Sequence, residues 1–439
     1  MHLSGWGQYP KKDSQLFSAP QTPTQLQHQL LAQPTFTGIA RGMGRSYGDS
    51  ALAAQIISTR YLNYFISFDE KLGLLKCASG ITLEKILALI VPRGWFLAVT
   101  PGTKFVSVGG AIASDVHGKN HHVAGSFCDY VLSITLMLAN GDILQCSRQQ
   151  HPELFHASCG GMGLTGVIID AELTLQPINS SQIHETTIKA ANLDEMLALF
   201  DAHQQATYSV AWIDCLAKGR HLGRSLLMLG EHSQEGTLNI SSHQGLPILF
   251  DMPSFLLNKY SIGAFNALYY HRMRQNQIEC TTHYDSYFYP LDGLLHWNRL
   301  YGKAGFTQYQ FVIPKDAGKE GLSRILQCIS ASGRGSFLAV LTTLGKQASS
   351  RYLSFPLEGY TLALDFKIEN GLFALLEKLD RMVLAFGGRI YLSKDARMSE
   401  LTFKQSYPAW EAFQHTRCQY QASKVFCSLQ SMRLGLNND

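Results

Sequence analysis

The sequence predicts an α+β protein, and three observations carry that expectation. Two glycine-rich stretches, residues 41–49 and 99–122, are too poor in large apolar side chains to form a conventional core. Val131–Leu138 and Ile143–Cys146 flank an Ala-Asn-Gly-Asp turn, and Asn-Gly accepts the positive φ values of a tight hairpin. Past Pro177 the texture changes to alternating strands, such as Tyr360–Phe366, and striped helices, such as Gly371–Phe386.

In chain order, residues 1–40 read as an irregular lead-in with one short helix around Gln25–Ala32. Strands follow near Gln55–Thr59 and Leu74–Ala78. In Ile81–Val91, Leu83, Ile86, Leu87 and Ile90 fall at helical spacing; Thr82 can cap that helix and Pro92-Arg93-Gly94 ends it. Glu153–Ala157 is a helical turn leading through Cys159-Gly160-Gly161-Met162-Gly163 to a buried strand, Gly166–Leu175. Residues 1–178 are therefore expected to form one α+β domain.

In the second part, residues 179–395, Leu193–His203 reads as a helix and Tyr208–Asp214 as a strand. Residues 236–273 look loop-like, with large apolar side chains beside Lys259, His271, Arg272 and Arg274. That composition suits either a packed loop or a mobile flap meeting lipid or a lipid-tailed substrate. Gln308–Ile313 is a strand with Gln308 and Gln310 on one face. Tyr360, Leu362, Leu364 and Phe366 share one side of theirs. The helix Gly371–Phe386 carries the stripe Leu372, Leu375, Leu376, Leu379 and Val383, and Gly387-Gly388 stops it. Arg389–Leu392 is a strand delivering Ser393-Lys394-Asp395. The expectation is an antiparallel sheet flanked by helices, with 396–439 returning to the first domain.

The chain has 439 residues, 46% hydrophobic and 16% charged, which excludes disordered and fibrous classes. A formal charge of +4 is too small to argue for nucleic acid, yet compatible with an anionic substrate. Nine cysteines without a CxxC pair suggest reduced, packed thiols and no metal framework. No apolar signal core or membrane-length run is visible. The expectation is a cytoplasmic protein, peripheral on the inner membrane if the flap touches lipid.

The two glycine stretches carry the ligand argument. Glycine lets backbone N–H groups approach a ligand closely, which suits a diphosphate or a polarised ring. Two such loops imply one large, flat, charged ligand between them. A nicotinamide fingerprint does not compete, because Gly42-Met43-Gly44 lacks GxGxxG spacing in a strand–loop–helix context.

The segments GIARGMGRSYGDS, PGTKFVSVGGAIASDVHGKNHHVAGSF and GGMGLTGVI resemble the flavin-binding signature of the vanillyl-alcohol-oxidase (PCMH) type of FAD domain. More narrowly, the chain resembles the decaprenylphosphoryl-β-D-ribose oxidase family almost end to end, most specifically at His117-Gly118-Lys119-Asn120-His121-His122. The resemblance implies a two-part FAD-binding domain plus a substrate domain. It implies FAD contacts from Gly42, Met43, Gly44, Arg45, Ser46, Tyr47 and Gly48, from Gly102, and from Ser107, Val108, Gly109 and Gly110. Ser114 and His117 would add to these, with Val167, Ile168 and Tyr391 covering the ring. Many relatives in the wider superfamily carry a flavin-bonding histidine where this chain has Arg45, so a noncovalent flavin is expected.

A flavin takes up hydride, so the protein's remaining task in oxidising a secondary alcohol is the hydroxyl proton. A base or proton-sharing donor must stand within roughly 3 Å of that hydroxyl. His117, Lys394 and Tyr47 are the candidates. Lys119, Trp212, Gln308, Gln310 and Lys394 match substrate-pocket positions of the family, although Trp212 serves equally well as core. Thr342, Thr361 and Ala363 stand where well-known members have lysine, asparagine and cysteine, which weakens the case for phosphate recognition.

The implied reaction oxidises C2′ of a polyprenyl-phosphoryl-ribose to the 2-keto sugar. The electron acceptor would be a quinone or O₂, and a nicotinamide-dependent short-chain reductase would complete an epimerisation. The alternatives are an oxidase of a soluble sugar, alditol or lactone, and a degenerate flavin-binding module.

Overall fold

The computed structural model describes residues 1–33, 35–240, 245–346 and 351–437. Three sheets organise the chain. Gln15–Ser18, Gln55–Ser58 and Gly38–Arg41 form a small parallel sheet with Gln55–Ser58 in the middle. A six-stranded antiparallel sheet centres on Val167–Pro177, which pairs with Val131–Met137, Leu74–Ala78 and Trp95–Leu97. The Asn-Gly hairpin is present, with Val131–Met137 antiparallel to Ile143–Ser147. Thr82 caps the helix Leu83–Ile90 by accepting the Lys85 N–H at 3.4 Å.

The third sheet has eight strands. From one edge they run Gln277–His283, Gln182–Ala190, Ser225–His232, Tyr208–Ile213, Ala339–Leu344, Gly359–Lys367, Phe306–Pro314 and Arg389–Ile390. Each pairing in this sheet is antiparallel. Period-two alternation divides its residues between two environments. Tyr309, Phe311, Leu362, Leu364 and Phe366 enter one continuous core with the stripes of Leu193–Ala202, Lys315–Ser332 and Leu372–Ala385. The other face carries Gln308, Gln310, Thr361, Ala363, Val340 and Trp212 into a cavity.

Several expectations need correction. The lead-in is not irregular: it contributes His2–Ser4, Lys11–Asp13 and Gln15–Ser18 as strands, and its helix is Pro23–Ala32. Its irregular look came from strands too short to show alternation. Lys315–Ser332 is a helix that composition hid, since its first turns are charged and glycine-rich. Gly318 and Gly321 are required there because a Cβ would fall 2.4 Å from the Tyr360 ring and 2.7 Å from Ile313.

The stretch 236–273 is not loop throughout, although 241–244 lie outside the described residues. Lys259–His271 is a helix capped by Asn258, whose side chain accepts from the Tyr260 and Ser261 N–H groups. Ile262, Asn266 and Tyr270 are its buried stripe, while Tyr260 and Leu268 stand 75% and 74% exposed on the opposite side. Apolar residues on both sides erase the contrast by which a helix is read from sequence. The final strand is shorter than expected, Arg389–Ile390: the Tyr391 N–H still reaches the Gln310 carbonyl, but the Tyr391 carbonyl accepts from the Lys394 and Asp395 N–H groups and starts the turn. Among the described residues no helix is long and apolar enough to cross a membrane.

The first residues and the tail both fasten the glycine loop. Trp6 and Gly7 donate backbone bonds to the Ser46 and Tyr47 carbonyls, and Gly7 accepts from Phe306 N–H. At the other end, Phe426 joins the core around Leu26, Leu30 and Phe36. Arg433 reaches Asp49 and Asp395 at 2.8 and 2.9 Å.

Candidate active site

A cavity of about 770 Å³ lies between the glycine loops and the free face of the eight-stranded sheet. Gly42, Met43, Gly44, Arg45, Ser46 and Tyr47 line one side. Gly44 has φ +65, where an L side chain is strained and a Cβ would strike the Arg41 guanidinium. Arg45 stacks over Trp6 at 4.1 Å. Gly102, Ser107, Gly109, Gly110, Ser114, His117, Ile168 and Tyr391 also reach the wall.

Three expected cofactor residues do not. Val108 and Val167 are buried in two apolar cores, and the Val108 N–H is already bonded to the Ile81 carbonyl. Gly48 is buried against the Ser393–Asp395 turn, where a Cβ would stand 1.9 Å from the Asp395 carbonyl oxygen. The sequence signal at these positions reports close packing. Gly109 reaches the wall, but its N–H is bonded to the Ser79 carbonyl.

The substrate candidates converge on the sheet face. Gln308 and Asp365 are cross-strand partners, as are Gln310 and Ala363, and Thr342 and Thr361. Gln308 Nε2 donates to Asp365 Oδ1 at 2.6 Å and reaches Tyr47 Oη at 3.3 Å. Lys394 Nζ lies over the Tyr47 ring at 4.1 Å. The turn carrying Lys394 is pinned from both flanks. Tyr47 N–H donates to the Ser393 carbonyl, and Asp395 accepts from the Arg397 and Met398 N–H groups. Burial would raise the Asp395 carboxyl, but Arg433 and Arg397 outweigh it and hold it below its ordinary value.

Burial pushes the Lys394 ammonium down to about 8, with Asp365 opposing. The same burial pushes Asp365 up to about 7, against its bond to Gln308 and the charge of Lys394. Lys119 is also pushed down by burial to about 8; it donates to the Tyr287 carbonyl and sits 4.0 Å over that ring. Trp212 is both core and wall: its Nε1 donates to the Phe337 carbonyl at 3.1 Å and its ring meets Tyr269 at 4.7 Å.

His117 occupies a different environment. Thr361 donates its hydroxyl to the Phe311 carbonyl, so its oxygen accepts one Gln310 N–H at 3.2 Å. The other Gln310 N–H meets His117 Nε2 at 2.9 Å. That bond places the imidazole proton on Nδ1. Burial, with His121 and Lys394 nearby, pushes His117 down to about 3, so the ring is neutral at physiological pH. Its Nδ1 is buried and has no partner among the described residues.

A family model described as an FAD binding domain matches residues 17–147. Decaprenylphosphoryl-beta-D-ribose oxidase from Mycolicibacterium smegmatis is 37% identical over 415 residues, covering 91% of this chain and 89% of that protein. An uncharacterized Streptomyces coelicolor protein is 31% identical over 374 residues, covering 81% of this chain and all of that one. L-gulonolactone oxidase from Bos taurus is 30% identical over 165 residues, 37% of this chain and 36% of that enzyme. The fold and its cavity thus define an FAD-dependent oxidoreductase. This chain belongs to the decaprenylphosphoryl-β-D-ribose oxidase family.

The residues present fit FAD. The Nδ1–H of His117 and the Ser79 hydroxyl, both without a partner among the described residues, belong to cavity-lining residues. A Cβ on Gly102 would meet nothing within 4 Å, which leaves that backbone open to a close-lying ligand.

Sequence reading missed Asp365 and Asp292. Asp365 was legible as an acid in an apolar strand, on the side opposite Leu364 and Phe366. Asp292 accepts the Thr103 hydroxyl and the Lys104 N–H, and burial pushes it up to about 6. No local pattern marks it, because its partners are about 190 positions away.

Proposed function

We propose that this chain oxidises a secondary sugar hydroxyl, C2′ of a polyprenyl-phosphoryl-β-D-ribose, to the 2-keto sugar. The observation that carries the reading is Lys394 over Tyr47, where the turn Ser393–Asp395 meets the glycine loop on a cavity wall shared with Gln308. It is joined by the long match to a protein named for that substrate. FAD supplies the hydride acceptor.

Burial brings the Lys394 ammonium down to about 8, a range where a fraction of neutral amine is available to take the hydroxyl proton. Tyr47 orients that hydroxyl. His117 presents Nδ1–H as a donor, since its Nε2 is engaged by Gln310. Lys119 offers a cation to the phosphate, and Gln310 and Trp212 complete the pocket. The glycine-loop residues from Gly42 to Tyr47, with Ser107, Gly110, Ser114, Ile168 and Tyr391, hold the cofactor. The flavin is noncovalent, because Arg45 stands at the bonding position. The electron acceptor is a quinone or O₂, and a short-chain reductase takes the keto sugar onward.

The exposed apolar side chains Leu249, Phe250, Phe255, Tyr260 and Leu268, beside Lys259 and Arg272, support a peripheral contact with the cytoplasmic face of the inner membrane. A second reading, oxidation of a soluble sugar, alditol or lactone, draws support from Thr342, Thr361 and Ala363, which put no charge on that wall.

Anaerobic bleaching of the bound flavin against a panel separates the two. The proposal expects reduction by the lipid-phosphate riboside and a 2-keto product. Reduction by free polyols or lactones alone supports the second reading and overturns the first. Acid precipitation should release all of the flavin into solution; retention on the protein would show a covalent bond.

A further inference from the structure

The wall beneath Lys394 contains a hydrogen-bond chain with a definite direction. A carboxylate can only accept, so an ionised Asp365 turns the amide nitrogen of Gln308 toward itself at 2.6 Å. That same nitrogen is the atom that meets Tyr47 Oη at 3.3 Å. Both hydrogens of the amide are then used, and Tyr47 must accept. The phenolic hydrogen has no acceptor among the described residues, and Tyr47 lines the cavity.

Asp365 is well fixed for such a role. It lies opposite Gln308 in the sheet and is 1% exposed. Its second oxygen accepts the Tyr301 hydroxyl at 3.5 Å, and its N–H donates to Ser336 Oγ at 3.1 Å.

We propose that Asp365 is a positioning residue: by orienting Gln308 it makes Tyr47 a hydrogen-bond donor to the ligand oxygen beside Lys394. With Asp365 protonated, the Gln308 amide is free to turn over and present its oxygen to Tyr47, which then spends its hydrogen inward. The titratable groups facing Asp365 are Tyr301, Tyr47 and Lys394. Burial raises both tyrosines well above their ordinary values, so they stay protonated, and Asp365 itself changes charge near neutral pH. The catalytic part of this inference rests on the sugar-oxidase reading; the direction of the bonds does not.

The test uses the FAD-loaded full chain carrying ζ-¹³C-tyrosine, with the Tyr47 resonance identified by Tyr47→Phe. In the wild type that resonance should move through a step near pH 7. In Asp365→Asn the step near pH 7 should be gone, leaving only the change that follows Lys394, which Lys394→Ala in the same background removes. A flat wild-type resonance, or an unchanged titration in Asp365→Asn, overturns the proposal. Kinetics gives the second readout. Asp365→Asn and Tyr47→Phe should each lower kcat/KM about tenfold, the scale of one hydrogen bond to a developing charge. The double variant should be no worse than Tyr47→Phe alone, whereas losses that multiply contradict the coupling. Gln308→Leu cuts the same chain without touching either end and should reproduce the kinetic loss and the loss of the step near pH 7 if Asp365→Asn does not fold. A wild type that titrates as described but oxidises no sugar would sink the functional reading and leave this one standing.

Discussion

Gln308 and Gln310 sit two residues apart on one strand, face the same cavity and differ in nearly everything that matters. Gln308 bridges a buried carboxylate and a phenol beneath an ammonium, where Asp365 and Lys394 are brought to about 7 and about 8. Gln310 bridges a threonine hydroxyl and a neutral imidazole pushed down to about 3. One glutamine therefore serves a wall that changes charge near neutral pH, and the other a wall that does not. The same side chain is a relay or a brace according to what stands at its ends.

Removing the ammonium should break the contrast most severely. Lys394→Ala is expected to slow anaerobic flavin reduction by roughly 10²–10³-fold without loss of bound FAD. Lys394→Arg should not rescue it, because a guanidinium does not deprotonate in this range. Stopped-flow bleaching checks both, and turnover near the wild-type rate would remove Lys394 from the mechanism.

In the wild type, kcat/KM should rise with pH through about 8 as Lys394 loses its proton, and a rise through about 7 should follow Asp365. No limb belongs to His117. Thr361→Val sharpens this point: it frees one Gln310 hydrogen and should cost about tenfold or less, on the scale of one neutral hydrogen bond. The positions of the pH limbs should not move, and a displaced limb would show that the two walls are coupled.

The smallest effect is on stability. The folded-state pKa of Asp365 is raised, so the native state binds more protons than the unfolded chain between roughly pH 4 and 7. Wild-type stability therefore falls as pH rises through about 7. Asp365→Asn removes that dependence and should melt on the order of 2 °C higher than wild type at pH 8, with the gap closing toward pH 5. Differential scanning calorimetry measures it, and a constant gap across that range would contradict the raised pKa of Asp365.

What could be read from sequence follows the range of the interactions. The Asn-Gly hairpin, the helix after Thr82 and the alternation through Tyr360–Phe366 are local patterns, and each is present. The glycine loop around Tyr47 and the turn carrying Lys394 were visible as motifs, and they meet on one cavity. Asp292 stayed hidden because its partners are far off in sequence, and the helix Lys259–His271 because both its faces are apolar. Val108, Val167 and Gly48 show the converse limit: a residue inside a binding motif can be there to pack the loop. His117 was legible as a polar residue ending a loop, but its tautomer depends on Gln310 and Thr361, which only folding brings to it.

The most direct test of the account is a single turnover under anaerobic conditions with polyprenyl-phosphoryl-ribose carrying deuterium at C2′. The account predicts that flavin bleaching slows several-fold relative to the protiated substrate and that the keto group appears at C2′. Bleaching at an unchanged rate with the keto group at another carbon, or no bleaching at all, would contradict it.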